Sequence, residues 1–314
     1  MQRYNILCSP DNNYTQYCGI MLTSLFENNK EQLFNIIVLC NNLSKENKES
    51  LYALAKKYNQ QLVIQNIDDN LIKEWPIREG DHISIAAYYR LLTPIILPDD
   101  IDKILYLDCD IIVNGDIKEL YNCNIRNAAL GAVLDEDYKN EVKYSRLEYS
   151  KEKPYINSGV LLINLEYWRK NNVTNRLLSY INENPDKVLF HDQDTINAVL
   201  HNEITLLPIK YNFQTGFLYK RLIADENILS EIEECKYTPC IIHFTGPNKP
   251  WIKDSQHPYC NRFKHFKTLS LWSATPLVVK KTNVLEKLIN IRNNIIWYLG
   301  IKKRLQTYII AKQE

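Results

Sequence analysis

The first strand-like segment of this 314-residue chain is not followed by a glycine-rich phosphate-binding turn. Neither a G-x-G-x-x-G fingerprint nor a P-loop occurs in Ser9–Asn13, the turn after that segment. This absence argues against NAD-dependent enzymes and P-loop NTPases, whose phosphate contacts depend on those glycines. The turn instead offers Asp11 and Asn13 as hydrogen-bonding groups for a base and a ribose, although the preference of turns for Asp and Asn explains them equally well.

Long apolar runs and paired cysteines are also missing. No apolar run approaches the roughly 18–20 residues that span a bilayer, and Met1–Asn5 lacks the charged-then-apolar order of a secretory signal. The eight cysteines form no C-x-x-C pair and no Cys/His finger spacing, and Cys8, Cys40 and Cys109 lie in or beside apolar strand-like runs. We therefore expect free thiols and a cytoplasmic protein.

The whole chain has no large excess of charge of either sign, so we expect no nucleic acid partner. Residues 276–314 nevertheless carry eight of the 38 Lys/Arg and only two of the 37 Asp/Glu, which makes this tail about +6 and the rest about −5. From Asn283 the tail has apolar residues along one side of a predicted helix, with Trp297 and Tyr298 near its end. This composition predicts peripheral attachment to an anionic membrane, the inner face of the plasma membrane; packing on the protein body is the alternative.

Strand and helix patterns alternate between Tyr4 and Ile67. Apolar strands are predicted at Tyr4–Cys8, Phe34–Cys40 and Leu62–Ile67. The first two are each followed by an amphipathic helical pattern, and Ser44 is placed to cap the second helix. This β-α-β-α-β order predicts parallel strands with right-handed crossovers, a Rossmann-like nucleotide-binding half.

Later segments continue the α/β pattern. Further strands are predicted at Leu130–Leu134, Asn157–Asn164 and Ile241–Phe244. Further helices are predicted at Ile83–Leu91, Glu166–Tyr180 and Thr195–Leu200. Arg90 lies in the first of these helices among apolar and aromatic neighbours, so it needs an anionic partner or must extend to solvent. Trp168 is assigned to the core rather than to a sugar-binding platform.

Two carboxylates spaced by one residue, Asp108 and Asp110, follow the apolar strand pattern that ends at Leu107. Alternation along a strand places both on the same side as the chain leaves the sheet. Carboxylates so close repel each other unless a cation lies between them, and a divalent metal is the usual solution. The same spacing recurs at Asp100/Asp102, Asp135/Asp137 and Asp192/Asp194. The first of these pairs lies in a turn-like acidic segment and is expected to be solvated.

Polar residues elsewhere complete a candidate site. His243 ends a predicted strand before a Gly-Pro loop that carries Lys249, whose charge suits a diphosphate. Asp192 and Gln193 precede a predicted helix, where Asp192 is equally explained as an N-cap. Carboxylates with one imidazole favour Mn²⁺, although Mg²⁺ is also an option. These features indicate a metal-assisted site that releases a nucleoside diphosphate.

In these motifs, over about Arg3–Leu271, the chain resembles family 8 glycosyltransferases of the GT-A fold. The resemblance implies an α/β GT-A fold, a Rossmann-like mixed sheet flanked by helices, with a C-terminal amphipathic helical tail. It implies a catalytic domain at 1–275, with a nucleotide-binding half at about 1–110 and a donor-sugar and acceptor half at about 111–275, followed by a membrane-association segment at 276–314. The implied reaction is Mn²⁺-dependent transfer of a hexose, galactose or glucose, from a UDP-sugar to a cell-surface glycan such as lipopolysaccharide or lipooligosaccharide, with retention at the anomeric carbon.

The resemblance also assigns roles to residues. The metal ligands would be Asp108, Asp110 and His243. The uridine would be bound by Asp11 and Asn13, and the diphosphate by Gly246 and Lys249. The donor sugar would be surrounded by Arg90, Asp108, Asn157, Asp192 and Gln193. Of these, Asp192 and Gln193 would take part in catalysis, and Asp135 is the candidate on the acceptor side.

One residue and one segment depart from the family pattern, and two other functions would be compatible with parts of that pattern. Ser158 stands where many relatives have Ala, and Gln214–Glu234 does not align, which leaves the acceptor open. A sugar-nucleotide pyrophosphorylase would share the fold and the metal, but it needs a Gly-rich basic loop after the first strand. A non-catalytic sugar-nucleotide-binding subunit would not need a complete metal triad. Release of UDP from a UDP-hexose in the presence of Mn²⁺ would distinguish an enzyme from such a binding subunit.

Overall fold

The computed structural model of the chain describes residues 3–68, 85–219, 222–279 and residue 292. The strands in these ranges are β1 (Tyr4–Cys8), β2 (Phe34–Cys40), β3 (Gln61–Asn66), β4 (Lys103–Leu107), β5 (Ile111–Val113), β6 (Leu130–Leu134), β7 (Ile156–Asn164), β8 (Ile204–Leu206), β9 (Phe213–Gln214) and β10 (Ile241–His243). The α-helices are α1 (Thr15–Asn28), α2 (Lys45–Lys57), α3 (Thr93–Ile96), α4 (Lys118–Tyr121), α5 (Glu141–Leu147), α6 (Leu165–Lys170), α7 (Val173–Glu183), α8 (His191–Leu200), α9 (Glu226–Cys235) and α10 (Cys260–Leu269). Short 3₁₀ helices span Ile85–Leu92, Ile209–Tyr211 and Thr215–Leu218.

Seven strands of the described ranges form one mixed sheet in the order β3-β2-β1-β4-β7-β6-β8. The first four in this order are parallel, whereas β7 runs antiparallel to both of its neighbours, β4 and β6. This arrangement confirms the predicted α/β architecture. The strand order reverses beside β1 and β4, and open α/β sheets bind ligands at the carboxyl ends of such strands.

A second, smaller sheet in the order β5-β10-β9 places one predicted site residue. β10 pairs antiparallel with β5, where His243 lies opposite Ile111, and parallel with β9, where His243 lies opposite Gln214. The turn between β4 and β5 contains Asp108 and Asp110. The pairing therefore brings the histidine to the two carboxylates.

Apolar side chains of β4 alternate between two cores, one on each face of the large sheet. Leu105 and Leu107 pack with residues of α1 and α2, and Ile104 and Tyr106 pack with residues of α6, α7 and α8. Trp168 is 1% exposed in the second core, and its indole N–H donates to the carbonyl of Ala129, which confirms its assignment to the core. Helices therefore cover both faces of the sheet, and only the strand ends are available for a site.

The helices differ from the predictions in two places. The described part of the helix predicted at Ile83–Leu91 is 3₁₀, and a new helix with Pro94 in its first turn follows it, because proline is preorganised for a helix start. The helix predicted at Glu166–Tyr180 is split into α6 and α7 by Asn172. Its φ of 50° is left-handed, a conformation that Asn tolerates better than most residues.

The start of α8 overturns a third expectation. This helix begins at His191 rather than Thr195, and its N-cap position is Phe190, so the interpretation of Asp192 as the N-cap is wrong. Asp194 instead accepts the backbone N–H groups of Leu189 and Phe190, and these bonds fix the chain just before the helix. The helix therefore starts early enough to carry Asp192, Gln193 and Asp194 in its first turn.

The predicted tail helix from Asn283 lies outside the described residues, apart from Arg292. Among the residues that the structure describes, no helix combines the length and apolarity needed to cross a bilayer. Val278 donates to the carbonyl of Trp251, and Lys253 donates to the carbonyl of Val278, so the chain is attached to the domain up to this point.

Candidate active site

Two carboxylates and one imidazole converge at the edge where β4 and β10 end. His243 Nε2 lies 3.3 Å from Asp110 Oδ1 and 3.8 Å from Asp108 Oδ2. One ligand atom from each of the three residues lies within 4.8 Å of the others. Two oxygens and one imidazole nitrogen at this separation suit a divalent cation.

Buried neighbours fix the orientation of the histidine. His243 Nδ1 lies 2.9 Å from Asn212 Oδ1, and the amide of Asn212 in turn donates to Asn157 Oδ1 at 2.9 Å. When Nδ1–H donates to Asn212, Nε2 carries the lone pair that faces the carboxylates, as in many metal-bound histidines. The tautomer needed for a metal ligand is therefore supported by the protein.

Gly159 leaves the space in which this cluster lies. A Cβ atom at this position would lie 2.2 Å from His243 Cε1 and 2.8 Å from Asp108 Oδ2, distances that no real contact allows. Only glycine fits here, because β7 passes directly behind His243 and Asp108. This tight cradle and the oriented histidine show that the residues present fit a bound metal ion.

Two cations flank the cluster. Lys249 Nζ lies 2.5 Å from Asp110 Oδ2, and Arg90 Nη2 lies 3.0 Å from Asp108 Oδ1. The guanidinium also stacks 3.8 Å from the centre of the Tyr106 ring, whose hydroxyl donates to Asp108. Arg90 therefore has the anionic partner that its apolar setting requires. Burial opposes ionisation of Asp110, but the positive charge of Lys249, joined by that of His243 when the imidazole is protonated rather than bound to a metal ion, outweighs it and lowers the pKa of this carboxyl.

Asp192 is the second anionic partner of Arg90. Its Oδ2 lies 3.3 Å from Arg90 Nε, but that N–H donates to the carbonyl of Ala87. Within the described residues this buried Oδ2 accepts no hydrogen bond. Burial raises the pKa of Asp192 to about 6, although the Arg90 charge acts in the opposite direction. Asp192 is thus a buried carboxylate paired with the Arg90 guanidinium.

Gln193 and Asn157 form a network with Asp135. The Gln193 amide nitrogen donates to Asp135 Oδ2 at 3.1 Å, and its Oε1 accepts from the backbone N–H of Ser158 at 3.1 Å and from Asn157 Nδ2 at 3.2 Å. Asn157 Nδ2 also lies 3.3 Å from Asp135 Oδ2. The structure therefore brings together Asp135, Asn157 and Gln193, which the sequence placed on three different elements.

Asp194, the other half of the Asp192 pair, is held away from the site. Its carboxylate accepts two bonds from Arg146, at 2.6 and 3.0 Å, and one from the Tyr155 hydroxyl at 2.7 Å. With the two backbone N–H groups that precede α8, it has five donors and is fully buried. This saturation gives Asp194 a structural role.

The residues proposed for the nucleotide are less closely connected. Asp11 Oδ1 accepts the Tyr14 N–H at 2.8 Å at the start of α1, whereas Asn13 is exposed. Burial and the nearby charges of Asp110 and Asp11 raise the pKa of Tyr14 to about 12. Gly246 has a φ of 73°, with open space where a Cβ would be. The roles of Asp11, Asn13 and Gly246 remain predictions.

The segment that sequence comparison left unaligned begins beside Asp135. Gln214 Oε1 accepts the Glu136 N–H at 2.8 Å, and Glu136 Oε2 accepts the Gly216 N–H at 2.6 Å and the Thr245 hydroxyl at 2.7 Å. These bonds tie the loop after β6 to the loop that carries Gly246 and Lys249. The start of this segment therefore lies beside Asp135, the residue predicted on the acceptor side.

Sequence reasoning missed Asn212, Gly159, Tyr155 and Glu136. Asn212 lies directly before β9, in a segment with no recognisable motif, and its role depends on the pairing of β9 with β10. Gly159 alone had a signal, because a glycine inside a strand often marks the close approach of another group. The other three could be found only from the fold.

Sequence comparisons place this chain in a known family. Residues 5–255 match the glycosyl transferase family 8 profile. The chain is 31% identical to general stress protein A of Bacillus subtilis over 275 residues, 86% of this chain and 94% of that protein. It is 28% identical to a lipopolysaccharide 1,2-glucosyltransferase of Escherichia coli over 301 residues, 91% of this chain and 85% of that protein.

A solved structure agrees with the fold. The crystal structure of the galactosyltransferase LgtC in complex with donor and acceptor sugar analogues superposes with a TM-score of 0.77 at 23% identity, covering 85% of this chain and 96% of that one. At this identity the likeness concerns the fold, which is GT-A. With the family profile matching most of the chain and the Asp-x-Asp and histidine groups converging at the strand ends, this protein belongs to glycosyl transferase family 8.

Proposed function

We propose that this protein is a retaining glycosyltransferase that moves a hexose, galactose or glucose, from a UDP-sugar to a cell-surface glycan such as lipopolysaccharide or lipooligosaccharide. The observation that carries the proposal is the convergence of Asp108, Asp110 and His243 beside the cations Arg90 and Lys249. Family membership supports sugar transfer. The similarity to the E. coli lipopolysaccharide 1,2-glucosyltransferase supports glucose as one candidate sugar and lipopolysaccharide as the acceptor class.

The donor diphosphate is bound at the carboxyl ends of β4 and β10. Asp108, Asp110 and His243 would hold Mn²⁺, with Mg²⁺ as a weaker substitute, and the bound cation would neutralise charge on the departing UDP. Lys249, within 2.5 Å of Asp110, is placed to contact the same diphosphate from the loop after β10. The open backbone at Gly246 lets a phosphate approach that loop closely. Asp11 and Asn13 would bind the uridine.

Retention limits which residues act on the sugar. A double displacement needs a nucleophile beneath the anomeric carbon, but Asp108 and Asp110 are committed to metal and Asp194 is saturated by five donors. Gln193 carries a neutral amide, which is a poor nucleophile, and the carboxylate of Asp192 is buried and paired with Arg90. In our proposal the acceptor therefore attacks the anomeric carbon from the same face of the sugar from which UDP departs. The acceptor oxygen bonds to the anomeric carbon as the bond between that carbon and UDP breaks, and the proton of the acceptor hydroxyl passes to the diphosphate.

Three side chains assist that step. Asp192 positions the donor-sugar hydroxyls through Arg90, with which it is paired, while Asn157 keeps Gln193 in place. Gln193 Oε1 provides negative electrostatic potential for the oxocarbenium-like transition state. Gln193→Ala is then slowed but active, since no obligatory bond is lost. A glycosylated peptide containing residue 193, recovered from wild-type enzyme and donor, would instead establish double displacement.

The test is a UDP-sugar panel assayed for UDP release and for transfer, with Mn²⁺, Mg²⁺ or a chelator. We expect slow Mn²⁺-dependent UDP release from UDP-galactose or UDP-glucose and loss of it in Asp108→Asn. Asp100→Asn is the matched control, because it belongs to an Asp-x-Asp pair that is exposed. Formation of UTP from UDP-sugar and pyrophosphate would favour a pyrophosphorylase, and binding without UDP release would favour a non-catalytic subunit.

Attachment to the inner face of the plasma membrane is proposed for the basic tail. The acceptor class supports it, because a lipid-linked glycan is reached at a membrane surface, and the tail is about +6 against a body of about −5. Truncation should follow Val279, since Val278 is hydrogen-bonded to Trp251 and Lys253. The truncated protein should no longer float with anionic liposomes, while its turnover on a soluble acceptor should be retained. Flotation of the truncated protein would contradict the proposal.

A further inference from the structure

Two basic side chains on α5 face the network that holds Gln193. Lys143 is 5% exposed, and its Nζ lies 2.7 Å from Asp135 Oδ1. Arg146, three residues later and so on the same face of the helix, holds Asp194. Neither cation belongs to the metal or diphosphate cluster. Burying a cation such as Lys143 is costly unless it serves a specific partner, so the partner of Lys143 indicates which group it orients.

Both acceptors of the Gln193 amide nitrogen are oriented by these cations. Gln193 Nε2 donates to Asp135 Oδ2 at 3.1 Å, and Asp135 is held through its other oxygen by Lys143. Gln193 Nε2 also donates to the Tyr155 hydroxyl at 3.3 Å. That hydroxyl donates its own proton to Asp194, which Arg146 holds, so its lone pair faces Gln193.

The two ends of the Gln193 amide are therefore in distinct surroundings. Its nitrogen faces a carboxylate and a hydroxyl lone pair, whereas its oxygen faces the N–H of Ser158 and the amide of Asn157. Rotation by 180° would set the amide oxygen against a carboxylate oxygen and the NH₂ group against two donors. Lys143 contributes to this asymmetry, because its ammonium group can only donate and holds Oδ1 of Asp135, which leaves Oδ2 facing the Gln193 NH₂ group as an acceptor.

We propose that Lys143 is a positioning residue that acts through Asp135 to fix the orientation of the Gln193 amide, so that the oxygen and not the NH₂ group points toward Ser158. The aromatic rings of Tyr155 and Phe190, 4.3 and 5.4 Å from Nζ, keep the ammonium group in place. Asp137 lies 3.4 Å from the same nitrogen but is largely exposed, so Asp135 is the main partner. This inference rests on the proposed role of Gln193 in the reaction.

The test compares Lys143→Met, Asp135→Asn and the double variant with the wild type. Methionine keeps most of the packing volume and removes the charge. We expect each variant to lower kcat about tenfold with little change in the donor KM, as for loss of one oriented hydrogen-bonding group. The three losses should be equal rather than additive, because all remove the same constraint. Lys139→Met is the matched control, since Lys139 pairs with Asp225 at an exposed site.

A second measurement does not depend on activity. With ¹⁵N-labelled glutamine, the side-chain NH₂ signals of Gln193, identified by their absence in Gln193→Ala, should shift and exchange faster in Lys143→Met. Lys139→Met should leave them unchanged. If Lys143→Met does not fold, the double variant carries the test, since removing both members of a buried pair disturbs a protein less than removing one.

Three results would overturn the inference. The first is a wild-type kcat together with unchanged Gln193 signals in Lys143→Met or in the double variant. The second is a loss of kcat on Lys143→Met that is just as large when Asp135 is already Asn. The third is a shift of the Gln193 signals in Lys139→Met equal to that in Lys143→Met. If Gln193→Ala itself has the wild-type rate, the proposed role of Gln193 fails instead, and the NH₂ signals still report whether Lys143 orients the amide.

Discussion

Two Asp-x-Asp pairs in this molecule have the same spacing but lie in different surroundings. Asp108 and Asp110 leave a strand, converge on His243, and keep 26% and 16% of their side-chain surface exposed. Asp192 and Asp194 lie in the first turn of α8, and their side chains are 5% and 0% exposed. The first pair thus shares one site, and the second is divided between two.

The difference comes from the geometry of the backbone. Residues two apart on a strand point to the same side, whereas on a helix they are about 200° apart around the axis. Asp192 accordingly faces Arg90 and the candidate site, and Asp194 faces Arg146 and the protein interior. A carboxylate pair therefore indicates a metal site only when the element that carries it is known.

The largest effect should follow removal of either carboxylate of the first pair. Asp108→Ala or Asp110→Ala should lower the transfer rate by about a thousandfold or more, about 4 kcal/mol, because a metal ligand is lost and the diphosphate charge is left uncompensated. Initial rates with UDP-hexose and Mn²⁺, together with Mn²⁺ titration by calorimetry, measure both losses. Asp100→Ala, from an exposed pair with the same spacing, should retain the wild-type rate. More than about a tenth of wild-type activity in both variants would contradict the assignment.

The second pair should respond in stability instead. Asp194→Ala should reduce the free energy of unfolding by about 3–5 kcal/mol, because Arg146 and two backbone N–H groups lose their acceptor in a buried place. Urea denaturation of the metal-free protein measures this change. Asp108→Ala should change the same quantity less, since its carboxylate is partly exposed and repelled by Asp110, and Arg90 keeps Asp192 as a buried partner. Similar stability losses in the two variants would remove the distinction between the pairs.

Much of the fold could be predicted from the sequence because its signals are local. The bounds of β1 and β2, the Ser44 cap and the core position of Trp168 follow from periodicity and side-chain chemistry, and the structure confirms them. The break at Asn172 could not, because asparagine occurs in helices as well as in left-handed positions. A single residue in that conformation divides a continuous apolar pattern.

The candidate site was predictable to a similar degree. Asp108, Asp110 and His243 carry local signals at strand ends, and the structure brings them together. Asn212 and Lys143 do not, because each acts through a partner more than 7 residues away in sequence that only the fold brings near. Groups that bind substrate are thus easier to recognise than the groups that orient them.

A smaller effect is expected within the second pair itself. The folded-state pKa of Asp192, about 6, lies above the ordinary value of 3.8, so the folded protein holds this proton more tightly than the unfolded chain does. As pH rises from about 4 to about 6, the Asp192 carboxyl ionises first in the unfolded chain. The free energy of unfolding of the wild type therefore falls relative to that of Asp192→Asn. The variant should be more stable by up to about 3 kcal/mol above pH 6 and by about half of that at pH 5. Urea denaturation at both pH values, in the presence of a chelator, measures the difference, and a variant whose advantage is the same at both would contradict the raised pKa.

The smallest effect concerns the residue in the middle of each pair. Gln193 faces the candidate site, whereas Cys109 is 9% exposed and belongs to the core beneath the carboxylates. Its thiol lies beside that of Cys18, which is 3.4 Å from Cys8 Sγ. Cys109→Ala removes one small buried group, so it should cost about 1 kcal/mol of unfolding free energy and change kcat less than about twofold. Urea denaturation and initial rates measure the two effects. A loss of kcat beyond about tenfold at unchanged stability would mean that the backbone between the two ligands depends on the thiol packing beneath it, and the middle residue would then matter in the strand pair as much as in the helix pair.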